Sequence, residues 1–290
     1  MNPLERVALT PLMERTSGRR EIVIGLLDGP VAITHPDLVG ANLREFPGTK
    51  GGTSAQAISA ACLHGTFVAG ILCAKRGSSA PAICPTCTLL VRPIFTETTS
   101  TSGQIPSATP EALAVAIVET IEAGARVLNL SVALAQPSMR GERALEEALD
   151  YAVSRGVIPV AAAGNQATLG STAITRHPWV LPVVACDLQG RPMRTSNLGS
   201  SLGKRGLMAP GEDITSLGAN GSPLTLGGTS AATPFVTGTL ALLWSEFPAA
   251  TAAEVRYAVT SASVPRRPTV VPPLLDAWGA YHMMKAHVRR

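Results

Sequence analysis

The chain has 290 residues, of which 46% are hydrophobic and only 15% charged, which excludes an intrinsically disordered protein. Its net charge of +4 is mild and its basic residues are scattered, which argues against a nucleic-acid groove. No apolar run has the length of a membrane-spanning helix, and residues 1–20 do not follow the pattern of a signal peptide. We therefore expect a soluble cytoplasmic protein with no nucleic-acid or membrane partner.

Apolar runs of strand length alternate with helical patterns along most of the chain. Residues 1–20 are expected to form an arm or a short helix over the surface. The predicted strands cover residues 22–27, 88–95, 126–130, 157–162 and 180–185. The predicted helices cover residues 64–72, 111–123, 141–154, 235–247, 252–260 and 276–286. This alternation predicts an α/β protein with a parallel sheet covered by helices on both faces, as one domain over residues 21–290 after the N-terminal arm.

Four polar residues stand where predicted strands end or predicted helices begin. Asp28 ends the first strand, His64 opens a helix, Asn165 follows a strand, and Ser230 opens a helix after two glycines. Ligands bind at the C-terminal edge of open α/β sheets, and a helix N-terminus favours a developing negative charge. Each residue also has a structural interpretation: a turn at Asp28, a core histidine, a loop asparagine and an N-cap serine.

Taken together, these residue types fit nucleophilic catalysis. A serine needs a base within hydrogen-bond reach, and the base needs a group that fixes its tautomer. An aspartate and a histidine supply those two roles, and an asparagine amide can donate a hydrogen bond to an oxyanion. Pro234 is expected within the first turn of the serine's helix, where a missing N–H costs little.

The segments around these four residues resemble the subtilisin-like serine proteases, or subtilases. The matching segments are Leu-Asp-Gly at 27–29, His-Pro-Asp-Leu at 35–38, His-Gly-Thr-Phe-Val-Ala-Gly at 64–70, Asn-Leu-Ser at 129–131, Ala-Ala-Ala-Gly-Asn at 161–165, Met-Ala-Pro-Gly at 208–211 and Gly-Thr-Ser-Ala-Ala-Thr-Pro at 228–234. The resemblance spans nearly the whole chain. It implies a three-layer subtilisin-like fold, a mostly parallel sheet with helices on both faces, and a serine endopeptidase activity.

The resemblance also implies a role for each residue. Ser230 would be the nucleophile that forms the acyl-enzyme, His64 the general base and acid, and Asp28 the group that orients the histidine. Asn165 and the backbone N–H of Ser230 would donate to the oxyanion. An extended peptide or protein substrate would bind between two flanking segments and against one pocket wall. The implied substrate-binding residues are Thr101, Ser102, Gly103, Ser131, Val132, Ala133, Ala162, Ala163 and Gly164.

Some residues depart from the usual family pattern. Gly29 stands where Ser or Thr commonly follows the aspartate, Phe67 where a second histidine is usual, and Ala231 where Met is usual. The Asp-Gly-Pro-Val variant at 28–31 and the Gly-Thr-Ser-Ala-Ala-Thr-Pro variant at 228–234 resemble the cyanobactin-type proteases, which process ribosomally made peptides. The aspartate and the histidine lie 36 residues apart, without the large insertion of the cyanobactin macrocyclases, so we expect hydrolysis instead of cyclisation.

The expected function is therefore the processing of a precursor peptide, by removal of its leader, inside the cell. The alternatives are a broad-specificity intracellular degradative protease and a catalytically silent subtilase fold that only binds peptides. No cofactor is expected.

Asp37 matches a calcium-binding position of many secreted subtilases, but Lys75 and Arg76 occupy the loop that usually supplies the other oxygens, so we do not expect calcium there. Cys84 and Cys87 form a lone C-x-x-C, for which free thiols, a local disulfide and a metal site remain open.

Overall fold

A seven-stranded parallel sheet forms the centre of the molecule in a computed structural model, which describes residues 2–46, 59–95, 108–131, 143–263 and 269–288. The strands of the sheet are β1 (Val23–Asp28), β2 (Asn42–Glu45), β3 (Thr88–Pro93), β4 (Val127–Leu130), β5 (Ile158–Ala162), β6 (Leu181–Cys186) and β7 (Leu207–Pro210). Their spatial order is β2-β3-β1-β4-β5-β6-β7, and every neighbouring pair is parallel. A separate antiparallel hairpin consists of β8 (Ile214–Leu217) and β9 (Pro223–Leu226).

Helices cover both faces of this sheet. They are α1 (Pro3–Arg6), α2 (Thr10–Arg15), α3 (Ala60–Cys73), α4 (Pro110–Glu122), α5 (Arg143–Ser154), α6 (Ala173–Arg176), α7 (Ser200–Arg205), α8 (Thr229–Glu246), α9 (Ala252–Ser261) and α10 (Ala277–Val288). Successive side chains of a strand point to opposite faces, and Leu26 and Leu27 are accordingly buried in different hydrophobic clusters. Leu26 packs in the cluster that contains α3 and α8, and Leu27 in the cluster of α4 and α5. The predicted three-layer α/β fold is confirmed.

Helix α8 is buried on nearly all sides. Of its 18 residues, only Ser230 in the first turn and Glu246 at the end are not buried. A helix that is apolar all round must lie inside a protein, and α8 contacts strands β4 to β7 together with α3 and α9. A buried helix therefore holds Ser230 in its first turn, where the side chain is partly exposed.

The N-terminal arm contributes to the same core. Helices α1 and α2 are short, and Val7, Leu9 and Leu12 beside and within them are fully buried in the cluster that contains α8. The arm packs as part of the body of the molecule and not merely over its surface. The division at residue 20 stays a prediction.

Two sequence-based expectations about helix starts are wrong. His64 does not open its helix, because α3 begins at Ala60 after the N-cap Ser59, so His64 lies in the second turn. Pro234 does not fall in the first turn, because α8 begins at Thr229 and the proline is its sixth residue. Its missing N–H leaves the carbonyl of Ser230 without the usual helical partner.

Within the described parts of the chain, none of the helices combines the length and the apolar composition of a membrane span.

Most other predicted elements differ from the observed ones by one or two residues at their ends.

Candidate active site

Asp28 and His64 meet at the C-terminal end of the central strand β1. His64 Nδ1 lies 2.7 Å from Asp28 Oδ1, and the aspartate side chain is completely buried. An ionised carboxylate can only accept hydrogen bonds, so Nδ1 carries the proton and Nε2 of the neutral ring is an acceptor. The same Asp28 oxygen also accepts from the Gly29 N–H at 2.6 Å.

Two glycines allow this approach of α3 to the end of β1. A Cβ at Gly29 would lie 1.9 Å from the carbonyl oxygen of Ala61, and a Cβ at Gly65 would lie 2.4 Å from that of Pro30. Any side chain at either position would push helix and strand apart. The departure from Ser or Thr at position 29 therefore has a steric reason, and it sets the position of His64 beside Asp28.

The other ring nitrogen of His64 faces the serine. His64 Nε2 lies 3.0 Å from Ser230 Oγ, so the hydroxyl can donate to the bare nitrogen. Ser230 is in the first turn of α8, where the helix dipole favours a developing negative charge. The predicted residues Asp28, His64 and Ser230 thus form one hydrogen-bonded chain.

The charge of Asp28 makes the His64 imidazole more basic. Burial lowers the pKa of His64, but the charge of Asp28 and its hydrogen bond outweigh burial, so the pKa lies above its ordinary value. Asp28 Oδ2 is buried and has no hydrogen-bond partner among the described residues. Both hydrogen bonds to the Asp28 carboxylate, from the Gly29 N–H and from His64 Nδ1, therefore meet at Oδ1.

The side chain of Asn165 is held beside Ser230 by Thr229, the residue that precedes the serine. The carboxamide oxygen of Asn165 accepts from the backbone N–H of Thr229 at 2.9 Å and from its hydroxyl at 3.1 Å. Since a backbone N–H can only donate, the atom that faces it is Oδ1, and Nδ2 is the remaining donor. Gly228, with φ of +115°, leaves room for this amide, because a Cβ there would lie 2.9 Å from Asn165 Nδ2.

Thr229 has a second partner that sequence reasoning missed. Its hydroxyl accepts from the Gly164 N–H at 3.1 Å, so one side chain contacts both Gly164 and Asn165. Thr229 belongs to the Gly-Thr-Ser-Ala-Ala-Thr-Pro motif, but the resemblance implies no role for it. The available signal was its position next to the nucleophile at a helix start, where side-chain oxygens bind backbone N–H groups.

The predicted substrate-binding residues are only partly within the described chain. Thr101, Ser102, Gly103, Val132 and Ala133 lie outside the described residues. Ser131 is 8% exposed, and its hydroxyl accepts from Asn129. Ala162 and Ala163 are each 3% exposed, and Gly164 is buried with its N–H bonded to Thr229. The contact of these small residues with substrate stays a prediction.

The calcium position implied by the resemblance does not suit a metal ion. The Arg76 guanidinium donates to the carbonyls of Met13 at 2.5 Å, Thr16 at 3.0 Å and Ile83 at 3.2 Å. Lys75 Nζ donates to the Pro36 carbonyl at 2.9 Å. Two positive side chains in the loop after α3 thus bind carbonyl oxygens themselves, which makes this loop a poor cation site.

All five cysteines are buried free thiols. Cys84 and Cys87 are joined by a backbone hydrogen bond, from the Cys87 N–H to the Cys84 carbonyl at 3.1 Å. The local disulfide left open for this pair is therefore not formed in the structure.

Comparison with known proteins identifies the family. The subtilase family (peptidase S8) profile matches residues 19–277. Subtilisin DY from Bacillus licheniformis is 30% identical over 246 residues, which cover 83% of this chain and 82% of that protein. Some subtilisins are longer, and the chain spans 58% of the length of subtilisin E from Bacillus subtilis (strain 168).

Solved structures of peptide maturation proteases are similar over their whole length. The protease domain of PatA is 33% identical with a TM-score of 0.85, and the match covers 93% of this chain and 97% of that one. The prenylagaramide maturation protease PagA is 30% identical with a TM-score of 0.83, covering 95% and 98%. The chain therefore belongs to the subtilase family, and it is a serine endopeptidase.

Proposed function

We propose that Ser230 cleaves peptide bonds through an acyl-enzyme, with His64 as base and acid and Asp28 as its orienting partner. The observation that carries this proposal is the continuous chain of hydrogen bonds, 2.7 Å from Asp28 to His64 and 3.0 Å from His64 to Ser230. Serine is a weak nucleophile unless a base within this distance accepts its proton.

The proposed reaction has two halves. Ser230 Oγ attacks the scissile carbonyl while its proton passes to His64 Nε2. The resulting oxyanion accepts hydrogen bonds from the Ser230 N–H and from Asn165 Nδ2, and His64 then donates its proton to the leaving amine. Water attacks the acyl-enzyme with His64 again as base, which releases the acid product and restores the serine.

We further propose that the substrate is the precursor of a ribosomally made peptide, bound in an extended conformation and cut to remove its leader. The support is the likeness to PatA, described as a patellamide maturation protease, and to PagA. Five free cysteines agree with a reducing compartment, so the proposed site of action is inside the cell. The short Asp28–His64 interval supports hydrolysis over cyclisation.

Cleavage profiling of a diverse peptide library by mass spectrometry tests this proposal, with Ser230→Ala as the blank. Cleavage confined to one narrow motif, absent from the blank, supports a dedicated processing enzyme. Cleavage at many unrelated sites would contradict dedicated processing and indicate a degradative enzyme. Cleavage by neither protein, together with retained peptide binding, would support a silent peptide-binding fold.

A further inference from the structure

Asn197 is a buried residue between β6 and α7 whose side chain contacts the loop that carries Asn165. Its carboxamide oxygen accepts from the backbone N–H of Gln166 at 3.0 Å and of Thr168 at 3.1 Å. Its Nδ2 donates to the Ala163 carbonyl at 3.1 Å and to Gln166 Oε1 at 2.7 Å. The side chain is only 8% exposed, so water cannot readily substitute for these partners.

These four bonds use the full capacity of one primary amide, two donors and two lone pairs. The backbone N–H of Asn197 adds a fifth bond, to the Gly164 carbonyl at 2.8 Å. The partners lie immediately before and immediately after Asn165, which itself is exposed. Asn197 therefore contacts the loop on both sides of the proposed oxyanion donor without contacting that donor's side chain.

Apart from the Thr229 bonds to Gly164 and Asn165, and the bond from the Ala163 N–H to the Val183 carbonyl, the loop depends on its contacts with the segment at 195–198. Residues 163–168 form no helix or strand, and Gly164 has φ of +101°. Two backbone hydrogen bonds connect the loop to the segment at 195–198. The Ala167 N–H donates to the Thr195 carbonyl, and the Leu198 N–H donates to the Thr168 carbonyl. The Asn197 amide lies between these two links. A side chain shorter than that of Asn197 could not reach the loop, and a carboxylate could not donate hydrogen bonds to Ala163 and Gln166.

We infer that Asn197 is a positioning residue for catalysis: it holds the 163–168 loop so that Asn165 Nδ2 faces the developing oxyanion. Positioning matters because an oxyanion donor acts only at about 2.7–3.1 Å from the charge, and a displacement of about 1 Å can cost 100-fold. Since the oxyanion forms only in the transition state, loss of Asn197 lowers kcat more than it changes KM. The inference rests on the oxyanion role proposed for Asn165.

A double-mutant cycle tests whether Asn197 acts through Asn165. The four proteins are the native chain, Asn165→Ala, Asn197→Asp and the double variant, with kcat and KM measured on a peptide that the native enzyme cleaves. Asn197→Asp keeps the size and the acceptor oxygen but removes both donated hydrogen bonds. We expect a loss in kcat of about 100- to 1,000-fold for Asn165→Ala and about 10- to 100-fold for Asn197→Asp. The double variant should be no slower than Asn165→Ala alone.

The outcomes separate the inference from the proposed function. If the two losses multiply in the double variant, Asn197 does not act through Asn165 and the inference is overturned. If Asn165→Ala keeps native kcat, the proposed oxyanion role itself fails. If Asn197→Asp does not fold, Gln166→Ala removes only the 2.7 Å bond at an exposed residue. Its smaller loss in kcat should disappear in the Asn165→Ala background, and persistence there would contradict the inference.

Discussion

Thr229 and Asn165 share two hydrogen bonds, from the backbone N–H and the hydroxyl of the threonine to one carboxamide oxygen. This pair joins the start of the serine's helix to the loop after β5. The two bonds therefore fasten the loop to the start of the helix, and Thr229, the residue next to the nucleophile, orients the Asn165 amide.

Replacement of Thr229 by Val should lower kcat by about tenfold with little change in KM. Valine keeps the shape but removes one of the two donors to Asn165, and it leaves the Gly164 N–H buried without a partner, which costs about 1–3 kcal/mol. Thr229→Ser, which retains a hydroxyl, is the matched control and should stay near native activity. Equal losses in the two variants, measured by steady-state kinetics, would show that the hydroxyl is not the cause.

The pH dependence of kcat/KM should follow the protonation of His64. The base must be neutral, and its pKa is raised above the ordinary 6.5 by Asp28, so activity should fall as the pH drops through a midpoint above 6.5. In Asp28→Asn, burial alone acts on the ring, so the midpoint should move down, together with a loss in turnover of about 10⁴. A midpoint that is unchanged in Asp28→Asn would contradict the assigned pairing.

A side chain at Gly29 should damage both stability and activity. Gly29→Ser restores the residue common in the family, but its Cβ would meet the Ala61 carbonyl at 1.9 Å and force α3 away from β1. We expect the free energy of unfolding to fall by about 1–3 kcal/mol. We also expect a lower kcat, because His64 moves with α3. Gly170→Ala is the control, since a Cβ at Gly170 meets nothing within 4 Å. Native behaviour of Gly29→Ser would mean that α3 does not need this close approach.

Arg76 should stabilise the N-terminal arm. Arg76→Met removes three hydrogen bonds to carbonyls of the arm and of the loop after α3, which we expect to cost about 1–2 kcal/mol, or about 2–4 °C in Tm. Lys75→Met removes one carbonyl bond at an exposed neighbour and should change stability by no more than about 0.5 kcal/mol. Equal Tm values for the two variants would refute the anchoring role.

The apolar strands and the long helices could be predicted from the sequence because burial on both sides demands continuous hydrophobic runs. Strand β2 could not, since Asn42–Glu45 lies at the edge of the sheet with partly exposed polar residues. The hairpin of β8 and β9 and the short β7, which ends in Pro210, carry no clear period either. Edge and hairpin strands depend on tertiary pairing more than on pattern.

The triad could be predicted because its three residues lie in recognisable segments, but the geometry that makes it work could not. The contact of Asp28 with His64 depends on how closely Gly29 and Gly65 let helix and strand approach. Asn197 stands alone in the sequence, more than 30 residues from Asn165, and only the fold brings it to the loop. A single polar residue without a motif gives no signal before its partners are known.

Labelling with a fluorophosphonate tests the central claim most directly, because the probe reacts only with an activated serine. Ser230 Oγ would attack phosphorus and displace fluoride, with the serine proton passing to His64. Mass-spectrometric peptide mapping should place the label on Ser230 of the native chain, with far slower labelling in His64→Ala and none in Ser230→Ala. A folded native protein that stays unlabelled, or carries its label elsewhere, would contradict the account.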